Sequence, residues 1–413
     1  MQRIYILLIV SFLCQGHLSA ELQETDSVSK KKQPQFVAVD IMGGIVLPTN
    51  KYIKSKDNIP AFGSLSLKYG ISSSGDKWED VAYGMPYYGV GIYAANFFNI
   101  NALGRPFSIF LFQGGDLMNF NPRWSLKYEL NLGSSFNWKY YDVFDNPDNI
   151  AIGSSVNVQV GANAYFKYRL SDVMDIHFGL GLTHFSNGAN SLPNKGINLA
   201  SPFIELVYNI NANPINTPKK YNLTPPEFEK RIDYDLTLTI SSRQIRVDTT
   251  GTGFPSRVLD RNFKVFGLSY ATMFVQNYKY KWGPSLDLVY DESADVKVWR
   301  EQNPLDGYWY DRVKLGKTHK RFSAGLSMKG EMTFPFVTFF AHLGYNLLQG
   351  NDYDNRFYQI IGAKAYIKDN LFATFGIRAN RFTKAQYLYW SIGYTIKGNP
   401  AKKKNKYIHN ILP

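Results

Sequence analysis

Hydrophobic and polar side chains alternate along much of this chain with a period of two residues. Residues 123–132, 156–167 and 232–241 each place apolar side chains at even positions and mostly polar ones at odd positions. Because successive side chains of a strand point to opposite faces, each of these segments predicts a β-strand with one apolar and one polar wall. The pattern therefore predicts an all-β, antiparallel protein.

Three features favour a transmembrane barrel over a secreted β-sandwich, which would also show alternation. The polar faces carry the glycines and small polar residues that suit a barrel lumen, the strands run long, and a signal-like segment precedes them. After that segment, no stretch approaches the roughly 20 continuous apolar residues that a membrane-spanning helix needs. We therefore expect an antiparallel β-barrel in the cell outer membrane.

The chain also divides into two similar halves. Residues 36–212 and 230–397 each yield about eight strand-like segments, and a proline-rich connection, 213–229, separates them. Residues 89–93 resemble 266–270, and 201–208 resemble 387–394. These similarities suggest a duplicated unit. Two tandem barrels of eight strands and one barrel of about 16 strands are both consistent with them.

Composition changes this picture little. Residues 1–20 resemble a signal peptide, with Arg3, a short apolar run and a cleavage site after Ala20. The single cysteine, Cys14, lies within it, so the mature chain should contain no disulfide. The net charge of +13 comes with no nucleic-acid motif, and part of it comes from lysines near the termini, including the basic tail at 398–413.

One segment combines the strand pattern with chemistry. In residues 175–186 the odd positions are small or polar, apart from Phe185, and suit the lumen, whereas the even positions form the lipid-facing stripe, namely Ile176, Phe178, Leu180, Leu182, His184 and Ser186. His184 and Ser186 should thus be neighbours at the end of the lipid-facing wall. If the first strand rises from the periplasm, the seventh ends at the outer leaflet, where lipopolysaccharide is found.

This segment resembles the outer-membrane lipid A 3-O-deacylases, an acyloxyacyl hydrolase-like family, over about residues 36–212. The resemblance rests on His184-Phe185-Ser186-Asn187, Pro193-Asn194 and Gly196-Ile197. It implies a serine ester hydrolase acting on lipid A, with Ser186 as nucleophile and His184 as general base. Asn187, Asn194 and nearby backbone N–H groups would hold the oxyanion. It implies no cofactor and no metal.

Asn198 is the departure from the family pattern, which has an acidic residue directly after the Gly-Ile pair. Its parity places Asn198 on the lipid side with His184, whereas Glu205, the nearest carboxylate, should face the lumen. An amide carbonyl can orient the histidine but cannot supply charge, so a working His–Ser pair, a slow enzyme and an inactive protein all remain open.

The second half contains no His-x-Ser sequence, and we expect it to be a degenerate, structural copy. A non-enzymatic barrel, either a pore or a structural surface protein, is the alternative function. The sequence leaves the oligomeric state open.

Overall fold

The computed structural model describes residues 33–54, 59–211, 225–247, 257–335, 337–350, 354–380 and 384–399. The expected signal peptide lies outside these ranges, as do most of the proline-rich connection and most of the basic tail. Among the described residues, no helix is both long enough and apolar enough to cross a membrane.

The first half of the chain forms a closed antiparallel barrel of eight strands. Its last strand returns to pair with its first, with Val39 opposite Leu206. The strands, numbered along the chain, are β1 (Gln35–Val46), β2 (Ala61–Ser72), β3 (Tyr87–Asn96), β4 (Gly104–Asn119), β5 (Trp124–Trp138), β6 (Asn157–Arg169), β7 (Met174–Ser186) and β8 (Ile197–Ile210).

The second half forms another closed barrel of eight long strands, in which Leu238 lies opposite Ile392 where the sheet closes. These strands are β9 (Arg231–Arg243), β12 (Phe263–Val275), β13 (Tyr280–Asp291), β16 (Phe322–Thr333), β17 (Thr338–Gln349), β18 (Phe357–Lys368), β19 (Leu371–Asn380) and β20 (Lys384–Lys397). Two small hairpins extend its connections, β10 (Arg246–Val247) with β11 (Arg257–Val258), and β14 (Lys297–Gln302) with β15 (Trp309–Lys314).

Of the two predicted architectures, the tandem one is therefore correct and the single barrel of about 16 strands is wrong. The physical reason is local closure: each half pairs its own first and last strands, so neither leaves an unpaired edge for the other half to extend. Among the described residues, short α-helices occur in connections of the first barrel, at α1 (Lys51–Lys54), α2 (Trp78–Ala82) and α3 (Ile100–Leu103), and a 3-10 turn at Thr318–Arg321 precedes β16.

Both barrels are apolar outside, and their interiors combine polar and charged side chains with buried aromatic ones. Their outer walls expose aliphatic side chains such as Leu180 (68% exposed), Ile204 (59%) and Ile392 (58%). In water a continuous apolar belt of this kind would drive aggregation, whereas in a bilayer it is the lipid contact. The barrels therefore span a membrane, as predicted, and closed antiparallel barrels with an even strand number are the form found in bacterial outer membranes.

The interior of each barrel holds a buried ionic cluster. In the first, the Lys68 ammonium lies 2.7 Å from both Glu129 and Glu205 and 3.7 Å from Asp40. In the second, Lys329 and Lys364 both pair with Asp235 and Glu331, at 2.6–3.2 Å. Charges buried this deeply are stable only when paired, so the clusters fix the lumen side chains and fill the barrels.

The two ends of each barrel differ. Short turns at 120–123, 170–173 and 276–279 lie at one end, together with the longer connection 73–86, whereas the long segment 139–156, the segment 187–196 and both small hairpins lie at the other. Outer-membrane barrels have short periplasmic turns and longer external loops. His184 and Ser186 accordingly lie at the end that carries the long loops.

The barrels stand side by side in the same orientation. At the short-turn end, the Tyr83 hydroxyl donates to the Tyr278 carbonyl at 3.3 Å, and the Tyr278 ring lies 4.7 Å from that of Trp78. The Tyr128 and Phe334 rings are 5.9 Å apart nearby. At the long-loop end, β9 and β20 contact the loop that follows Ser186.

Candidate active site

His184 and Ser186 form a hydrogen-bonded pair at the end of β7. The His184 Nε2 atom lies 2.9 Å from Ser186 Oγ. Residues two apart on a strand share one face, which is how a His-x-Ser sequence brings the two side chains together. This is the distance at which an imidazole can accept the proton of a serine hydroxyl.

Asn198 occupies the third position of the arrangement. It lies opposite His184 in the pairing of β7 with β8, and its Oδ1 atom is 2.7 Å from His184 Nδ1. Because an amide oxygen can only accept, this contact places the imidazole proton on Nδ1 and leaves Nε2 free to accept from the serine. The Asn198 Nδ2 group donates to Thr49 Oγ1 at 3.1 Å, which orients the amide from its other side.

The pair faces outward, as the alternation predicts. Leu180 and Leu182, on the same face of β7, are 68% and 59% exposed, while Thr183 and Phe185, on either side of His184, are buried in the interior. Glu205 points inward, where it contacts Lys68 and His177. It therefore does not orient His184. The site therefore opens on the lipid-facing wall beside a strip of aliphatic side chains.

Residues 187–196, which we call the site loop, follow Ser186, whose side chain is only 8% exposed. The two predicted oxyanion residues lie in this loop and contact each other: the Asn187 backbone N–H donates to Asn194 Oδ1 at 3.1 Å. The Asn187 side chain donates to the Ser154 hydroxyl and to the Ser191 carbonyl, at 3.1 and 2.9 Å. Asn187 thus braces the loop through its side chain.

Asn194 differs from Asn187 in having a free donor. With its Oδ1 fixed by the Asn187 N–H, its Nδ2 group is buried and has no hydrogen-bond partner among the described residues. A buried donor without a partner costs about 1–3 kcal/mol and needs a structural or functional reason. An oxygen of a bound substrate would satisfy it.

Backbone geometry packs the site loop tightly against the histidine. Gly196 has a φ of +74°, and a Cβ atom there would lie 2.6 Å from His184 Cε1. Only glycine combines that backbone conformation with so close an approach. At the other end of the loop, Gly188 and Ala189 both adopt left-handed conformations, with φ of +63° and +66°.

The structure also brings to the site residues that we did not select from the sequence. Thr49 comes from the connection after β1, Ser154 from the segment before β6, and Gln244 from the second barrel. None lies in a recognisable motif, because each acts through a contact distant in sequence. Within the described residues, no group of three or more His, Asp or Glu side chains is arranged to hold a metal ion.

Comparison with known proteins adds a family match, and it falls on the second barrel. Residues 232–398 match the family model described as "Acyloxyacyl hydrolase, C-terminal domain". The predicted relationship to acyloxyacyl hydrolases is thereby confirmed for the half without the His–Ser pair, whereas the motif resemblance lies in residues 36–212. No curated protein matches the chain.

Several solved outer-membrane proteins resemble the chain at low identity. The outer-membrane enzyme PagL shares 17% identity and a TM-score of 0.27 over 41% of this chain and 97% of its own. The Ralstonia pickettii toluene transporter TbuX shares 9% identity and a TM-score of 0.19, covering 89% of this chain and 90% of its own. At these TM-scores neither similarity bears on function.

Proposed function

We propose that this protein is a serine ester hydrolase of the outer membrane that removes a fatty acyl chain, 3-O-linked, from lipid A of lipopolysaccharide. The observation that carries the proposal is the Ser186–His184–Asn198 chain of hydrogen bonds on the lipid-facing wall. A hydrolase whose active site lies on the lipid-facing wall, at the outer-leaflet end of the barrel, binds a substrate that is itself in the bilayer. Lipid A supplies both the ester and the acyl chains that suit an aliphatic wall.

The geometry supports a two-step acyl transfer. Ser186 Oγ attacks the ester carbonyl while His184 Nε2 takes its proton. His184 returns that proton to the departing alcohol of lipid A, and water then hydrolyses the acyl-serine by the same route. Asn198 holds the imidazole in the required tautomer, and the Asn194 Nδ2 group, with backbone N–H groups of the site loop, stabilises the oxyanion.

The pore alternative depended on a single barrel of about 16 strands, and the chain forms two barrels of eight strands instead. An eight-stranded barrel is just wide enough for its own side chains, and here both interiors contain buried ionic clusters. A structural surface protein is the remaining alternative, and activity separates it from the enzyme.

The decisive experiment is mass spectrometry of lipid A from cells that express the protein. We expect the loss of one ester-linked 3-hydroxyacyl chain with the wild type and an unmodified spectrum with Ser186→Ala. Folding of both proteins is checked by their heat-dependent migration on gels. An unmodified spectrum from folded, membrane-inserted wild type would reject the proposal.

A further inference from the structure

The site loop is held between two supports, one from each barrel. On the side of the first barrel, the segment before β6 accepts hydrogen bonds from the loop: the Ser191 hydroxyl donates to the Gly153 carbonyl at 2.7 Å, and the Gly196 N–H to the Ala151 carbonyl at 2.9 Å. These contacts fix the far part of the loop. They leave residues 188–190 and 192, which lie two to six positions after Ser186, to other partners.

Those partners come from the second barrel. The Leu192 N–H donates to the Gln244 side-chain oxygen at 2.9 Å, and the Gln244 N–H donates to the Ala189 carbonyl at 3.4 Å. The Ser242 hydroxyl donates to the Asn190 side chain at 3.0 Å. Every one of these contacts crosses from one barrel to the other.

Steric contact adds to the hydrogen bonds. A Cβ atom on Gly188 would lie 2.2 Å from the Leu388 side chain, so the loop backbone rests directly on β20. Ala189, the next residue, adopts a left-handed conformation that non-glycine side chains disfavour. A strained conformation persists only where its surroundings impose it, and the surroundings here belong to the second barrel.

We propose that the second barrel is a positioning element for catalysis, and that Gln244 acts through the site loop to hold the oxyanion donors in place beside Ser186. The inference deepens the proposed function and rests on it. Gln244 fixes Leu192, which is two residues from Asn194 and the free Nδ2 donor described above. The catalytic half would then depend on the half that lacks catalytic residues.

Kinetics of purified proteins on lipid A in detergent micelles test the proposal. Gln244→Ala removes the acceptor of the Leu192 N–H, and we expect kcat to fall about tenfold with KM within twofold of wild type, since Gln244 does not touch the substrate. Gln244→Glu keeps an acceptor oxygen and should restore at least half of the lost rate. Gln302→Ala is the matched control, because Gln302 also makes a side-chain bond to a backbone group, the Gly307 carbonyl, but in a hairpin away from the site.

The rate at which a fluorophosphonate probe labels Ser186 gives a second readout that does not depend on lipid A. We expect Gln244→Ala to slow labelling and Gln302→Ala to leave it unchanged. Equal rates in Gln244→Ala and wild type, a rise in KM alone, or no rescue by Gln244→Glu would overturn the positioning role. Wild type that is labelled but leaves lipid A intact would reject the substrate assignment alone, and the labelling comparison would still decide the role of Gln244.

Discussion

Restoring a carboxylate at Asn198 tests the catalytic arrangement most directly. Asn198→Asp keeps the size of the side chain and places a carboxylate oxygen where Oδ1 now lies, 2.7 Å from His184 Nδ1. The substitution removes the Nδ2 group that donates to the Thr49 hydroxyl. That hydroxyl can rotate and donate to the new carboxylate instead. The geometry should therefore survive the substitution.

The magnitude follows from the change of acceptor. A hydrogen bond to a charged group contributes about 1.5–3 kcal/mol, against about 0.5–1.5 kcal/mol for a neutral pair. The imidazolium exists only while His184 carries the serine proton, so the gain of about 1–1.5 kcal/mol stabilises the transition state selectively. We expect kcat to rise about five- to tenfold, with KM little changed. Asn198→Glu, one methylene longer, should leave activity unchanged or raise it.

The assay is release of the 3-hydroxy fatty acid from lipid A in detergent micelles, with enzyme concentration normalised to folded protein. Asn121→Asp is the matched control: Asn121 lies in a turn at the opposite end of the barrel, and its side-chain oxygen accepts from the Arg123 and Trp124 N–H groups, as a carboxylate would. A complete loss of activity in folded Asn198→Asp, with Asn121→Asp normal, would refute the orienting role of Asn198.

Three further substitutions test separate parts of the structure. Asn194→Asp keeps the acceptor for the Asn187 N–H but removes the Nδ2 donor, so kcat should fall about 10²-fold in the same assay. Gly196→Ala forces a Cβ atom against His184 from a left-handed backbone position, so hydrolysis and fluorophosphonate labelling should both be nearly lost while the barrel stays folded. Lys68→Met leaves three buried carboxylates without their cation, and urea unfolding followed on gels should show a loss of about 3–5 kcal/mol.

The alternation of the sequence predicts the strands and the direction of their side chains because both depend on local geometry. Parity along a strand places His184 and Asn198 outside and Glu205 inside, and the structure has them there. The same pattern predicts about eight strands in each half. It cannot decide how the strands close, because pairing of the first strand with the last depends on contacts distant in sequence.

The residues that hold the site in place, Thr49 and Gln244, could not be predicted from the sequence, because their contacts are also distant in sequence. Thr49 is 149 residues from Asn198, and Gln244 is 52 residues from Leu192. A threonine or glutamine in a connection has no periodicity and no motif, so nothing in the sequence distinguishes these two from others of their kind. The free Asn194 donor likewise follows from the folding of the site loop, since only the bond from the Asn187 N–H fixes which side of the amide is unpaired.

The two barrels share a fold but differ in the residues that they place at the long-loop end. On β19, the strand that corresponds to β7, lumen-facing Arg378 and Asn380 are buried, and the outward positions near the long-loop end are Ile377 and Ala379. Neither of these can act as a base or a nucleophile, so the described residues of β19 present no outward-facing hydrolytic pair. The second barrel instead contacts the site loop through Gln244, directly after β9, and through Leu388 on β20. Under the proposed positioning role, the barrel without a hydrolytic pair holds the loop of the barrel that has one, which gives residues 232–398, the range that matches the acyloxyacyl hydrolase C-terminal domain, a part in the proposed enzyme.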